Sequence, residues 1–260
     1  MSCLADTLKA PHILVTRPVH QADNLCQLIA QRGYIAVPFP SLEIVKYGDS
    51  GTIQNVLANL DRFHWVIFIS ANAVNFALQA NGGKIEPHKS TRIAAIGHAT
   101  AQALENAGIP VDLTPANGFT SEALQAMPQL QLCLGHRCLI VRGRDGREEL
   151  ADALKGKGIL VEYLETYQRV IPDIDSLPVI SLLIRNELNI ITITSGEALH
   201  NLLNMLGKEY HYQLFDIPLV VVSERIKSIA RQLGFKRIAV TDNPSDEAIL
   251  NTIITLINEE

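Results

Sequence analysis

The chain has 260 residues, of which 47% are hydrophobic and 19% charged, with a formal net charge of −5 at pH 7. This length suits one large domain or two of ordinary size, each with its own core. The acidic balance argues against a general binder of nucleic acid or acidic membranes, which would carry a basic excess. The apolar runs are strand-length, well short of the roughly 20 residues that a membrane span needs.

Short runs rich in Val, Ile and Leu alternate with helical stretches, which is the pattern of βαβ units and a parallel sheet. In chain order, the predicted strands are 12–16, 34–39, 65–69, 92–96, 111–113, 137–141, 160–164, 190–194, 219–222 and 237–240. The predicted helices are 22–32, 52–60, 71–80, 99–107, 121–126, 147–157, 175–187, 196–206, 224–233 and 246–257. Because the strands are almost continuously apolar, helices should cover both faces of each sheet. We predict a doubly wound α/β fold.

The sequence repeats itself at a long spacing. Arg17 matches Arg142, and Ser70 matches Ser195, at a common offset of 125 residues. A solenoid repeat runs roughly 20–50 residues, so this spacing is instead the size of a domain. The sequence therefore predicts two similar α/β lobes that enclose one cleft.

Two extended segments interrupt the alternation of strands and helices. Residues 39–46 and 164–171 occupy equivalent places in the two repeats and continue as extended sequence where a helix is expected. We interpret them as two crossover strands between the lobes. The lobes are then residues 1–39 with 166–260, and residues 40–165. The alternative is two sequential domains divided near Gln131, which repeat symmetry alone does not exclude.

Several small or polar residues fall at the predicted carboxyl edges of the sheets, where open α/β folds bind ligands. Each lies just past an apolar strand and at a helix start: Ser70, Gly97, His98, Ser195 and Ser223. Serines there cap helices. Equally, the free N–H groups and positive helix ends bind anions. Several such starts together suggest a ligand with several carboxylates or phosphates.

Arginines and one tyrosine complete the candidate site. Arg17 and Arg142 reach the same edges, and Arg142 with Arg144 opens the basic loop 142–147. Arginine binds carboxylates in bidentate fashion, although a solvated basic turn explains the loop equally well. Tyr167 lies in a crossover strand, where a phenol is able to donate a proton, although tyrosine is also an ordinary strand residue.

The common cofactor signatures are missing. The sequence has neither a GxGxxG motif after the first strand nor a GxxxxGK[ST] motif, and no GxSxG or HExxH. Cys133, His136 and Cys138 lie close together, but structural zinc needs four convergent ligands. We therefore expect no metal site. The N-terminus does not resemble a signal peptide, so we expect a cytoplasmic protein.

Six stretches together carry a family resemblance: Ile13–Pro18, Trp65–Val74, Ala95–Ala101, Leu164–Arg169, Ile193–Leu199 and Ser223–Ile226. Their order and spacing resemble the uroporphyrinogen-III synthase family over nearly the full length. The resemblance implies two α/β lobes joined by a two-stranded connector. It also implies a cofactor-free enzyme that closes linear hydroxymethylbilane to uroporphyrinogen III, losing water and inverting the final pyrrole ring.

The resemblance also implies roles for individual residues. Tyr167 matches a connector tyrosine that is favoured as the acid for loss of the hydroxyl group, and Thr100 matches a position associated with activity. Ser70, Ser195 and Ser223 match positions thought to hold substrate carboxylates, largely through backbone donors. The substrate has eight carboxylates, which also suits the arginines at the edges. Ser223 stands where relatives often have Gly, and the residue at His98 varies.

The expected partner is a small molecule, the linear tetrapyrrole, with no nucleic acid and no membrane. We expect a monomer that makes transient contact with the enzyme that produces the unstable bilane. The alternative function is a two-lobed binding protein for a small anionic ligand. A nucleotide-sugar or phosphosugar enzyme is a weaker option because phosphate-binding loops are missing.

Overall fold

A computed structural model describes residues 10–115, 127, 130 and 134–259. The chain forms two compact units, Met1–Glu43 with Val170–Glu260, and Ile44–Arg169. The chain therefore passes between the units twice, at residues 43 and 169, where the sequence analysis placed the boundaries at 39 and 165.

The strands within the described residues are β1 His12–Val15, β2 Ile35–Pro38, β3 Glu43–Lys46, β4 Trp65–Phe68, β5 Arg92–Ala95, β6 Arg137–Gly143, β7 Leu160–Val170, β8 Leu188–Ile193, β9 Leu219–Val221 and β10 Ile238–Val240. The α-helices there are α1 Val19–Gln31, α2 Ser50–Ala58, α3 Ala71–Ala80, α4 His98–Asn106, α5 Glu149–Gly156, α6 Leu177–Ile184, α7 Gly196–Leu206, α8 His211–Asp216, α9 Glu224–Leu233 and α10 Asp246–Asn258. Short 3₁₀ turns cover Leu60–Arg62 and Lys208–Tyr210.

Each unit contains one five-stranded sheet. The first has the order β10-β9-β8-β1-β2, and the second has the order β3-β7-β6-β4-β5. The pairs β1–β2, β1–β8 and β8–β9 are parallel, as are β4–β5, β4–β6 and β6–β7. The predicted α/β class with two parallel-sheet lobes is confirmed. The two extended crossover segments contribute β3 and β7, which are neighbours in the second sheet.

Some predicted elements differ from the structure. The strand predicted at 111–113 is wrong, because only Leu113 forms an isolated bridge, with Ala94. The helix predicted at 121–126 lies outside the described residues. Helix α8 was not predicted, and β6 runs two residues further than predicted. The predicted strand 160–164 and the extended segment 164–171 form one continuous strand, β7.

The second sheet buries both of its faces, as the apolar strands predicted. Along β4, Val66 and Phe68 join one core cluster, whereas Trp65 and Ile67 join the cluster on the other face. The first cluster includes residues of α3 and α4, and the second includes residues of α5. This alternation is the period of two that a strand imposes on its side chains.

Candidate functional site

A register shift in β7 positions Tyr167. Val161 and Tyr163 pack on the α5 face of the sheet, so strict alternation along the strand would place residue 167 there too. Instead, Arg142 pairs with Glu165 while the next residue, Gly143, pairs with Tyr167. The extra residue on β7 turns Tyr167 to the opposite face, where it joins the α3 cluster.

The Tyr167 ring packs directly on the backbone of β6. A Cβ atom added to Gly143 would lie 2.6 Å from both Cε2 and Cζ of the ring. Phe76 stacks on the same ring, with 5.9 Å between ring centroids. The whole residue is only 2% exposed. Gly143 is therefore required by the close approach of the ring rather than by its own backbone conformation.

The Tyr167 hydroxyl has a defined partner. Its Oη lies 3.0 Å from Ser70 Oγ, and either atom is able to donate. Ser70 is also the N-cap of α3, because its Oγ accepts a hydrogen bond from Ala73 N at 3.1 Å. Ser70 and Tyr167 were predicted as separate site residues, and the structure brings their hydroxyl groups together.

Arg142 lies inside the protein and organises the basic loop. Its side chain is 4% exposed. Its guanidinium donates to the carbonyl oxygens of Gly143 at 3.2 Å, Gly146 at 2.7 Å and Arg147 at 3.5 Å. It also donates to Glu148 Oε1 at 2.8 Å. These internal acceptors take most of the donors of Arg142, and its contact with substrate stays a prediction.

A second layer of contacts holds Arg142. The guanidinium lies over the Tyr163 ring, 4.6 Å from its centroid, and the Tyr163 hydroxyl donates to Glu148. This hydrogen bond, with help from Arg142, lowers the pKa of Glu148. Burial, reinforced by Glu148, raises the pKa of Tyr163 to about 12. Glu148 and Tyr163 were not among the predicted site residues, and no motif in the sequence marks them.

Ser70, Arg142 and Tyr167 line one cavity of about 490 Å³ within the second unit. This volume falls in the range of small-molecule sites. Ser70, Tyr167 and the loop 143–147 form part of the wall. The charged side chains of the wall are Arg142, Arg144, Arg147 and Arg169 against one carboxylate, Asp145. The cavity is therefore strongly cationic in a chain that is acidic as a whole.

Arg144 connects the basic loop 142–147 to strand β7, which contains Tyr167. Its backbone N donates to Tyr167 O at 2.7 Å, and its guanidinium lies 4.9 Å from the ring centroid of Tyr47. The side chain is about half exposed, with Asp145 Oδ2 at 3.6 Å from its Nε. Arg144 therefore presents its charge to the cavity from a fixed backbone.

The other predicted residues of this unit surround the start of α4. Gly97 is its N-cap, His98 is its first residue, and Thr100 is buried. Among the described residues that line the cavity, this strand end contributes Ile96. The start of α4 therefore follows the cavity-lining residue Ile96 directly along the chain. Gly97, His98 and Thr100 themselves are not among the described residues that line the cavity.

The first unit holds the remaining predicted residues. Ser195 caps α7 through Ala198 N at 3.0 Å, and Ser223 caps α9 through Ile226 N at 3.4 Å. Arg17 forms an ion pair with Asp246 at the start of α10. The serines are therefore the helix caps that their positions predicted, and Arg17 has an acidic partner that the sequence analysis missed.

Within the described residues, no group of three or more His, Cys, Asp or Glu side chains is arranged to hold a metal ion. Among the helices of the same residues, none combines the length and apolar character that crossing a membrane requires.

Comparison with known proteins identifies the family. A family model described as "Uroporphyrinogen-III synthase HemD" matches residues 23–251. The uroporphyrinogen-III synthase of Salmonella typhimurium is 34% identical over 248 residues, which cover 93% of this chain and 99% of the relative. The uroporphyrinogen-III synthase of Escherichia coli is 32% identical over 249 residues, with the same coverage. The chain belongs to the uroporphyrinogen-III synthase family.

Solved structures of the family share the fold. A mutant uroporphyrinogen III synthase of Thermus thermophilus matches with a TM-score of 0.67 at 17% identity, covering 96% of this chain and 100% of its own. The Helicobacter pylori enzyme matches with a TM-score of 0.57 at 15% identity, covering 95% and 99%. Membership of the uroporphyrinogen-III synthase family makes this protein an enzyme of tetrapyrrole synthesis.

Proposed function

We propose that this protein converts linear hydroxymethylbilane to uroporphyrinogen III, with loss of water and inversion of ring D. In this proposal it is a lyase that needs no cofactor. Beside family membership, one observation carries the proposal: Tyr167 lines the same cavity as Arg144, Arg147 and Arg169. A proton donor and a set of cations are what the departure of a hydroxyl group from a polyacid requires.

Tyr167 is the proposed proton donor. Its ring packs against Gly143 and Phe76, and its hydroxyl lies 3.0 Å from Ser70 Oγ. Both Tyr167 and Ser70 line the cavity. General acid catalysis by a positioned side chain contributes about 10²- to 10⁴-fold to a rate. A donor fixed in this way therefore supplies useful assistance without being the whole source of catalysis.

The arginines of the cavity are the proposed partners of substrate carboxylates. Arg144, Arg147 and Arg169 line the wall, and arginine binds carboxylates in bidentate fashion. We assign Arg142 to a different task, because its donors already hold the loop carbonyls and Glu148. In this assignment Arg142 shapes the cavity and leaves carboxylate binding to its neighbours.

Helix starts are the proposed additional carboxylate sites. Backbone N–H groups and the positive end of a helix favour bound anions. We keep the residues at the start of α4 in this role, together with the capping serines of the first unit: Gly97, His98, Thr100, Ser195 and Ser223. Arg17 is proposed to support the edge of the first sheet through its ion pair with Asp246.

The proposed reaction begins with proton transfer from Tyr167 to the hydroxyl group of the bilane. The C–O bond breaks, water leaves, and an electron-deficient azafulvene remains. The terminal pyrrole then attacks through its substituted carbon, which leads through a spiro intermediate to the inverted ring. Holding the reacting carbons in this orientation is the main task of the enzyme, since good orientation alone is worth several orders of magnitude in rate.

The product isomer tests this function. The purified protein is supplied with hydroxymethylbilane, and the oxidised products are separated by chromatography. We expect mostly the type III isomer, formed faster than the bilane closes alone. Type I product at the spontaneous rate would contradict the proposal, and tight binding without type III product would instead favour a binding protein.

We also propose that the enzyme works as a cytoplasmic monomer and receives its substrate through transient contact with the enzyme that makes the bilane. The instability of the bilane motivates this contact. Sedimentation equilibrium measures the first point: a mass near 28.6 kDa is expected for a monomer, and twice that mass would contradict it.

A further inference from the structure

We propose that Ser70 is a positioning residue that acts through Tyr167, by donating its hydroxyl proton to the phenol oxygen while Tyr167 protonates the leaving group. This inference rests on the proposed function. It replaces the expected role of Ser70 as a direct ligand of a substrate carboxylate with a role inside the proton donor itself.

The hydrogen-bond capacity of Ser70 supports this role. A serine hydroxyl has one proton to donate and two acceptor lone pairs. One lone pair accepts Ala73 N–H at 3.1 Å, which fixes the side chain at the start of α3. The proton and the second lone pair remain for the Tyr167 hydroxyl at 3.0 Å. When the Tyr167 hydroxyl directs its proton toward the substrate, the Ser70 hydroxyl donates a hydrogen bond to the phenol oxygen.

The location of Ser70 adds an electrostatic effect. Helix α3 has ten residues, and Ser70 is its N-cap. The positive end of a helix favours negative charge within its first turn. A hydrogen bond to an ionised oxygen is also shorter and stronger than one between neutral groups. Both effects grow as the phenol loses its proton, so they lower the energy of the transition state more than that of the bound substrate.

The proton and charge balance is closed by the reaction itself. The Tyr167 proton goes to the hydroxyl oxygen, the C–O electron pair leaves with water, and a phenolate faces the cationic azafulvene. Ring closure later releases one proton from the terminal pyrrole, and the phenolate takes it up. Ser70 keeps its own proton throughout and needs no further reactant.

The two roles of Ser70 predict different kinetics. A residue that acts through Tyr167 affects kcat and leaves KM unchanged, and its loss has no further effect once the phenol is removed. A ligand of a substrate carboxylate instead affects KM, and its loss adds to that of the phenol. A double-mutant cycle separates these cases.

The experiment compares Ser70→Ala, Ser70→Gly and Ser70→Thr, each with Tyr167 and with Tyr167→Phe. Glycine is included because it removes the hydroxyl yet costs a helix cap only a few tenths of a kcal/mol. Threonine keeps the hydroxyl. Ser245→Ala is the matched control, because Ser245 caps α10 through Ala248 N at 3.2 Å and lies in the other unit. The readouts are kcat and KM for type III formation, with the thermal midpoint of each variant.

We expect Ser70→Ala and Ser70→Gly to lower kcat about 10-fold, a part of what an acid catalyst supplies, with KM unchanged. Ser70→Thr should recover most of the rate, and neither Ala nor Gly should slow Tyr167→Phe further. Ser245→Ala should lower the thermal midpoint but not kcat. Additive losses, a raised KM with unchanged kcat, or full activity of Ser70→Gly would overturn the inference. Failure of the unaltered protein to make type III product would instead overturn the proposed function.

Discussion

A single methyl group added at Gly143 is expected to displace the Tyr167 ring. The added Cβ would lie 2.6 Å from Cε2 and Cζ and 3.1 Å from Cε1. Carbon atoms pack at about 3.5–4.0 Å, so the ring has to move by about 1 Å. The Gly143 backbone is itself compatible with alanine, since its φ is not positive. The effect of Gly143→Ala is therefore an effect on the ring.

The expected magnitude follows from the tight packing around the ring. Overpacking of this kind costs about 1–3 kcal/mol of stability. A displacement of about 1 Å in a catalytic group is able to cost about 100-fold in rate. We therefore expect Gly143→Ala to remain folded, with a lower free energy of unfolding and a much larger loss in kcat.

Urea denaturation and the initial rate of type III formation measure the two effects. Gly156→Ala is the control in the same unit, because a Cβ there meets no atom within 4 Å. It should leave the rate unchanged and should not lower the free energy of unfolding, because Gly156 ends helix α5 and alanine favours a helix more than glycine does. In a Tyr167→Ala background the ring is absent, so adding Gly143→Ala should cause no further loss in the free energy of unfolding. If Gly143→Ala alone keeps normal stability and rate, the ring does not rest on the Gly143 backbone as described.

Three further predictions concern the same site. Tyr167→Phe should reduce the initial rate of type III formation markedly yet leave some activity; an unchanged rate would refute its acid role. Arg142→Lys should leave loop carbonyls without donors and lower the free energy of unfolding by about 1–3 kcal/mol, as urea denaturation measures; unchanged stability would show that the loop holds itself. The folded state lowers the pKa of Glu148, so its contribution to stability is present at neutral pH and is lost as the pH falls through the folded pKa. The folded state raises the pKa of Tyr163 to about 12, so its contribution is lost as the pH rises between about 10 and 12. Urea midpoints across pH should therefore depend less on acid in Glu148→Gln and less on alkali in Tyr163→Phe, and curves parallel to the unaltered protein would contradict this.

The regular elements were predictable because burial leaves a period in the sequence. The apolar strands of both sheets and the helices between them follow from hydrophobic runs and helix-end signals. Ser70, Ser195 and Ser223 cap helices, as serines just past a strand should. The predicted strand at 111–113 failed because short apolar sequence also serves a single bridge.

The orientation of Tyr167 was not predictable in the same way. It depends on one extra residue in β7 opposite the end of β6, and a register shift leaves no periodic signal. The environment of Arg142 depends on Tyr163 and Glu148, whose contacts form only when strands and loop are folded. Likewise, the ion pair of Arg17 with Asp246 joins residues that are 229 positions apart. Residue types at the site were visible in the sequence, whereas their pairing was not.

The dependence of the product isomer on enzyme concentration tests the central claim most directly. Without the enzyme, hydroxymethylbilane closes spontaneously to the type I isomer. The enzymatic and spontaneous reactions therefore compete for each bilane molecule. If the cavity beside Tyr167 directs closure, the type III fraction should rise with added protein until type I product is no longer detected. A type III fraction that stays at its protein-free level at every concentration would contradict the account.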